Sequence, residues 1–294
     1  MQKTTEILKT LNPRVLVLGG SGRVGGLLRA VWRRPDAASG IRPIWQARRH
    51  GAGAQVVFDP LAEPQALASA VAACDVVLNL AGPTRGMPEE LSANRVLAEA
   101  VVQAAGGAVP ILAASSAAVY GAQAAAGGAL SEDGSTTPDS AYGRAKIEME
   151  AALHAVPNAV VIRIGNIAGA DALLGRAAPE GGRVLHVTPD GRALERSYIG
   201  PQALAQALER LVRLAAAGLE LPKCLNLALP GVVGMDALLA AAGERWTSAP
   251  APAGTIPRVE LDVSRALRLG LVPDTPVRAE AVVADLQGCK GMRP

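Results

Sequence analysis

Tyr142 and Lys146 stand four residues apart in the stretch "SAYGRAKIEME" (Ser140–Glu150), in a chain that has only three tyrosines. On a helix, residues i and i+4 lie on one face. Pro138, Asp139 and Ser140 supply the turn and cap that start such a helix, and Ala145, Ile147, Met149, Ala151 and Ala152 carry it forward. An ammonium beside a phenol favours the phenolate, drawing the tyrosine down from its usual pKa of about 10. The pair is then fit to trade protons with an alcohol or a ketone near neutral pH. Taken alone, the same spacing describes a surface tyrosine stacked on a lysine stem.

A second constellation is "GGSGRVG", with Gly19, Gly22 and Gly25 at three-residue spacing. It lies between a buried strand, "RVLVLGG" (Arg14–Gly20), and a segment of helical apolar spacing, "VGGLLRAVWRR" (Val24–Arg34). A tight turn, close backbone approach to a pyrophosphate, and close helix–strand packing each exclude a Cβ, and the helix N-terminus then faces the phosphates. A glycine triplet alone is weak; the strand-turn-helix setting gives it meaning.

The elements that must position these residues alternate along the chain. "RPIWQAR" (Arg42–Arg48) and "AQVVFDP" (Ala54–Pro60) read as strands two and three, "EPQALASAVAA" (Glu63–Ala73) as a helix, and "CDVVLNLAG" (Cys74–Gly82) as strand four. A helix over Glu89–Ala105 leads to the strand "VPILAASS" (Val109–Ser116), the Tyr142 helix, and the strand "AVVIRIG" (Ala159–Gly165). Continuous apolar strands alternating with helices predict an α/β fold, a doubly wound parallel sheet covered on both faces. Beyond Asn166 the pattern changes to an Ala/Gly-rich stretch, a helix over Pro201–Gly218, a strand over Lys223–Leu229 and a Pro-rich connector, Ala249–Pro257. The expected organisation is a dinucleotide-binding part over 1–166 and a smaller substrate-binding part over 167–294, with 197–230 packing back on the first.

Composition narrows the function classes. The chain has 294 residues, 50% hydrophobic and 2% aromatic, so Ala, Val and Leu must build the core. Its net charge of +3 comes from 29 basic residues interspersed with 26 acidic ones, with no basic run that would suggest nucleic acid. Cys74, Cys224 and Cys289 are too scattered for a disulfide framework and form no metal spacing with His50, His154 and His186. They point to a reducing cytoplasm. Glu6 and Lys9 stand where a signal peptide would need an apolar stretch, and no membrane span is expected.

With these motifs in place, the chain resembles the extended branch of the short-chain dehydrogenase/reductase superfamily, the NAD-dependent epimerase/dehydratase family. The glycine loop has that branch's form, and "VVLNLAG" is similar to its fourth strand, whose Leu80-Ala81-Gly82 end would run beside the cofactor. "SSAAVYG" (Ser115–Gly121) resembles its catalytic-serine strand, "YGRAK" its catalytic helix, "IRIGNIAG" (Ile162–Gly169) its sixth-strand motif, and "RSYI" (Arg196–Ile199) its substrate-side arginine motif. "LDVSRALRLGLVP" (Leu261–Pro273) is similar to its C-terminal signature.

The resemblance implies a set of roles. Ser116 and Tyr142 would bond one substrate oxygen, while Lys146 would lower the Tyr142 pKa and hold the nicotinamide ribose. Gly19, Gly22, Arg23, Val24 and Gly25 would cradle the cofactor, Asp59 and Pro60 would lie by its adenine, and Asn166 and Arg196 would face the substrate. Asn94 matches a family helix position, either catalytic or a polar residue within the helix. A homodimer through the helices at Glu89–Ala105 and Tyr142–Ala155 is also implied.

The sequence departs from the family pattern in three places. Strand two ends Gln46-Ala47-Arg48-Arg49, without the acid that holds a ribose 2′-OH; Arg48 and Arg49 suit a 2′-phosphate instead, with Arg23 adding charge nearby. NADP is therefore expected, with NAD as the alternative. Ala117-Ala118 stand where the family's 4,6-dehydratases carry an Asp-Glu pair, which argues against dehydration. About thirty residues separate Asn166 from Arg196, a short segment suggesting a substrate smaller than a nucleotide sugar. The expectation is a cytoplasmic oxidoreductase acting on a secondary alcohol or ketone of a sugar-like molecule. The alternatives are a nucleotide-sugar epimerase with retained cofactor and a non-catalytic dinucleotide-binding sensor.

Overall fold

The computed structural model describes residues 11–33, 40–51, 53–121, 123–124, 127–177 and 179–290. Glu6, Lys9 and Arg34 lie outside them. A seven-stranded parallel sheet forms the centre, in spatial order β11-β6-β5-β4-β1-β2-β3. Its strands are β1 (Arg14–Leu18), β2 (Arg42–Ala47), β3 (Val56–Val57), β4 (Val76–Asn79), β5 (Ile111–Ser116), β6 (Ala159–Ile164) and β11 (Cys224–Leu227). Val15–Leu18 and Val76–Leu78 have no measurable exposure, because helices cover both faces. Two apolar clusters lie on the two sides, one around Leu28, Trp45, Leu204, Leu208 and Leu211, the other around Leu67, Val101, Met149 and Leu153. Full burial of such side chains stabilises by about 1.5–3 kcal/mol each.

The helices on these faces are α1 (Arg23–Trp32), α2 (Pro64–Ala72), α3 (Pro88–Leu91), α4 (Ala93–Ala105), α5 (Ala141–His154) and α6 (Pro201–Ala216). Ser140 caps α5 as expected, its Oγ accepting from Gly143 N–H at 3.0 Å. The helix expected over Glu89–Ala105 is broken at Ser92, whose hydroxyl donates to Glu89 O, while Asn94 Nδ2 donates to Leu91 O. Side-chain bonds to backbone carbonyls end α3 and start α4. The third strand contracts to Val56–Val57, because Gly and Asp-Pro flank it and, among the described residues, it pairs with β2 alone.

Past β6 lie β7 (Asn166–Ile167), β8 (Arg183–Val187), β9 (Glu195–Arg196), β10 (Tyr198–Ile199), β12 (Val233–Gly234), β13 (Trp246–Pro250) and β14 (Arg258–Val259), paired in three small sheets. The stretch expected as a Pro-rich connector is in part β13, which pairs in parallel with β8. Helices α7 (Met235–Ala241), α8 (Ser264–Arg268) and α9 (Ala279–Lys290) complete the described chain. A third cluster, including Leu174, Leu185, Tyr198, Leu238 and Leu286, holds this region together, and Leu27 of α1 packs against it.

Candidate active site

All strands of a parallel sheet end on the same side, so the loops after β1, β4, β5 and β6 converge on one crevice. There a cavity of about 610 Å³ is lined by Gly19, Gly22, Arg23, Val24 and Gly25 from the first loop, and by Leu80 and Gly82 from the fourth strand's end. Ser116, Tyr142, Lys146 and Asn166 line it too. A second cavity of about 380 Å³ shares Ser116 and Asn166 and adds Arg196, Ala117, Ala118 and Thr255. Ser116 thus lines both a larger chamber and a smaller one.

The glycine loop fits a dinucleotide's pyrophosphate. Gly19 has φ +77°, and a Cβ on it would lie 2.8 Å from Ala81 N and Cα. A Cβ on Gly25 would lie 2.6 Å from Gly20 O, so any side chain there would push α1 off the loop. Ala81 therefore serves as backbone packed against Gly19, outside the cavity lining. Gly82 is held differently: at φ +143°, a Cβ on it would sit 2.2 Å from Asn94 Oδ1. Among the described residues that buried oxygen has no hydrogen-bond partner, while Asn94 Nδ2 donates to Pro83 O and Leu91 O.

Tyr142 and Lys146 share a face of α5, the lysine nitrogen lying 5.9 Å from the phenol ring centroid. Lys146 is 6% exposed and donates to Ala114 O at 2.9 Å. Burial draws its pKa down to about 8, opposed by the charge of Glu150 one turn further on. The expected effect on the phenol is corrected here. Burial raises the Tyr142 pKa, and the groups opposing that rise are Ser116 and the Arg23 guanidinium, not Lys146. Desolvation of a neutral-to-anion group outweighs the neighbouring cations.

Arg48 and Arg49 follow β2 and are exposed, outside the cavity lining. Arg23 lines the cavity, and its charge acts on Tyr142. Asp59 Oδ1 accepts from Leu61 and Ala62 N–H, closing a local turn around Pro60, and neither Asp59 nor Pro60 lines the cavity. Arg196 donates to Glu195, Ile256 and Pro257 carbonyls. Burial lowers its pKa, and among the described residues no carboxylate pairs with it.

Several residues not singled out in the sequence support the site. Gln46 is buried; its Oε1 accepts from Gly19 N–H and its Nε2 donates to Phe58 O, tying the loop to β2 and the segment after β3. Glu150 accepts from Ser115 Oγ and from Arg163, which in turn donates to the Tyr120 hydroxyl. Tyr120 donates to Asn226 Oδ1 at 2.7 Å, and burial raises its pKa to about 12. The Lys146-to-Glu150 spacing, again i and i+4, was the signal available in the sequence. Among the described residues, no group of three His, Cys, Asp or Glu side chains is placed to hold a metal, and no helix is long and apolar enough to cross a membrane.

Known proteins bear on this geometry. A UDP-glucose 4-epimerase from Stenotrophomonas maltophila, with bound NAD and formylated UDP-arabinopyranose, superposes with a TM-score of 0.74 at 22% identity, covering 95% of this chain and 98% of that one. A UDP-N-acetylglucosamine 4-epimerase from Bacillus cereus does so at 0.72 and 16%, over 96% of this chain and 100% of that one. A dTDP-glucose 4,6-dehydratase from Streptomyces venezuelae, with NAD and TYD bound, does so at 0.70 and 17%, over 95% and 98%. No curated protein sequence matches the chain. The sequence model of the NAD dependent epimerase/dehydratase family matches residues 15–190, more than half of the chain. The glycine cradle, the serine strand's end and the tyrosine–lysine helix thus belong to a member of the NAD-dependent epimerase/dehydratase family of enzymes.

Proposed function

We propose that the protein is an NADP-preferring oxidoreductase that moves hydride at a secondary alcohol or ketone of a sugar-like substrate. The observation that carries this reading is the joint lining of one cavity by the glycine cradle, Ser116, Tyr142 and Lys146. Gly19, Gly22, Val24 and Gly25 would hold the cofactor's pyrophosphate at the N-terminus of α1. When bound, the nicotinamide supplies or accepts the hydride. Ser116 Oγ and the Tyr142 hydroxyl then bond one substrate oxygen, and Tyr142 gives it a proton or takes one. Lys146, held on Ala114 O, keeps an ammonium beside the phenol and would bond the nicotinamide ribose of a bound cofactor.

The substrate end is the smaller cavity, where Arg196 offers guanidinium N–H groups to an anionic or hydroxyl-rich molecule. Its volume of about 380 Å³ suits a compact sugar derivative. Ala117 and Ala118 line it and offer no acid or base for removing water. Residues 1–166, with 197–230 packing back on them, act as the cofactor-binding part, and the rest of 167–294 as the substrate part. Three cysteines as scattered as Cys74, Cys224 and Cys289 suit a reducing cytoplasm. The outer face formed by α4 and α5, with Val96 38% exposed, suits a homodimer.

The cofactor preference rests on β2. Without an acid at its end, the ribose 2′-OH of NAD lacks its charged acceptor, while Arg48 and Arg49 offer forks to a 2′-phosphate. Hydrogen bonds to charged groups contribute about 1.5–3 kcal/mol, roughly a ten- to hundred-fold preference. Calorimetric titration tests this: NAD binding as tightly as NADP would reduce both arginines to surface charges.

A second reading, a nucleotide-sugar epimerase with retained cofactor, is favoured by the NAD-bound epimerase that this chain covers nearly end to end. Cofactor that stays with the protein through purification would support it; free exchange with NADPH supports the reductase.

A further inference from the structure

Helix α1 carries a charge on its buried face. Arg29 is 8% exposed, yet among the described residues no carboxylate pairs with it. Its Nη2 donates to Gly20 O at 2.5 Å, its Cζ lies 4.9 Å from the Trp45 ring centroid, and its Nε is buried without a partner among the described residues. Burial and the charge of Arg33, one turn on, both work against its ionised form. A guanidinium nevertheless stays protonated, and burying one without a counter-ion is strongly unfavourable. Such a residue breaks the local rules of a stable core, and sites that do so are functional more often than other positions.

Its location says what would complete it. Gly20 N–H donates to Gln46 O and Gly19 N–H to Gln46 Oε1, so the guanidinium lies between the glycine loop and the end of β2. In dinucleotide-binding sheets this strand end reads the 2′ substituent of the adenosine ribose. Arg48 and Arg49 follow the same strand from the solvent side.

We propose that Arg29 is a specificity-determining residue for an adenosine 2′-phosphate, its buried charge forming with Arg48 and Arg49 a cationic seat for a phosphomonoester dianion. This rests on the NADP reading above and assigns its main source. The two surface arginines are screened by salt, whereas a buried guanidinium is screened much less.

The test needs no substrate. Adenosine 2′,5′-bisphosphate and 5′-AMP differ only in the 2′-phosphate, and Trp45, against the guanidinium, with Trp32 5.6 Å away, supplies a fluorescence signal at the site. The wild type should bind the bisphosphate at least about ten-fold more tightly. Arg29→Met should lose most of that ratio while 5′-AMP affinity changes less than about two-fold, and Arg29→Lys should keep a larger share. In the Arg48→Ala/Arg49→Ala double variant, the remaining preference should persist at high salt; this arm needs no change at Arg29 and holds even if Arg29→Met does not fold. Equal losses for both ligands in Arg29→Met, or a double variant with no remaining preference, would overturn the assignment and leave the NADP reading standing. A wild type without preference for the bisphosphate would remove the NADP reading itself.

Discussion

The Tyr142 phenol lies beside Ser116, and Tyr142→Phe removes only the hydroxyl that carries its exchangeable proton. Turnover should fall by several orders of magnitude, with cofactor affinity within about two-fold, since general acid–base groups contribute roughly 10²–10⁴ and the phenol also orients the oxygen. Comparable losses in binding and rate would contradict the role. Lys146 makes a different prediction. Its folded pKa of about 8 lies below the unfolded 10.5, so the unfolded chain binds more protons between those values. Stability from this group therefore rises from pH 8 to pH 10.5, and below pH 8 the cost of the buried charge is fully present. Lys146→Met should bind cofactor and turn over poorly, yet resist denaturant better than the wild type at pH 7, with the gap closing by up to about 3 kcal/mol toward pH 10.5. A gap independent of pH would show that Lys146 is not held in a desolvated state. Residue types and spacing made this pair legible in the sequence. The direction of the Tyr142 shift was not, because it depends on enclosure by β5, α5 and the glycine loop, which a linear pattern does not show.

At the scale of elements, β1, α1, β4, β5, α5 and β6 were all visible, since continuous apolar runs and a Ser140 cap are local signals. What stayed hidden depends on partners far along the chain. β13 exists because it pairs with β8 some sixty residues earlier, and its Trp-Thr-Ser-Ala-Pro sequence has no strand pattern of its own. Asn226 shows the same kind of dependence. Fully buried on β11, it donates to Leu130 O at 2.7 Å and Asp262 O at 3.0 Å and accepts from Tyr120. One amide thereby ties the sheet edge to two loops. Asn226→Ala leaves buried groups unsatisfied and should cost about 1–3 kcal/mol for each group exposed to that loss, read as a lower denaturation midpoint with an unchanged slope. No loss of stability would mean that water replaces the amide at no cost.

For the whole molecule, the seven-stranded sheet supplies rigidity at one crevice, and the small sheets beyond β6 frame the second cavity. The outer face of α4 and α5 combines Val96 and Ala151 with Arg95, Glu99, Arg144 and Glu148, a mixed surface able to meet its own copy about a two-fold axis. Light scattering at micromolar concentration should give twice the 29.9 kDa chain mass, and Val96→Asp should halve it. A monomeric wild type would end the dimer proposal. The substrate end was the least legible part, because Arg196 and Asn166 come into register with Ser116 only through pairings among short strands.

The central claim is that Ser116, Tyr142 and Lys146 carry net hydride transfer with an exchangeable cofactor. The direct measurement is isotope transfer from NADPH deuterated at the transferring C4 position, offered with 4-keto sugar probes, both free and nucleotide-linked. The account predicts released product with one deuterium at the carbinol carbon, one NADP⁺ formed per product, and neither in Tyr142→Phe. Interconversion of UDP-glucose and UDP-galactose with no deuterium incorporated and no NADPH consumed would contradict it and establish the epimerase instead.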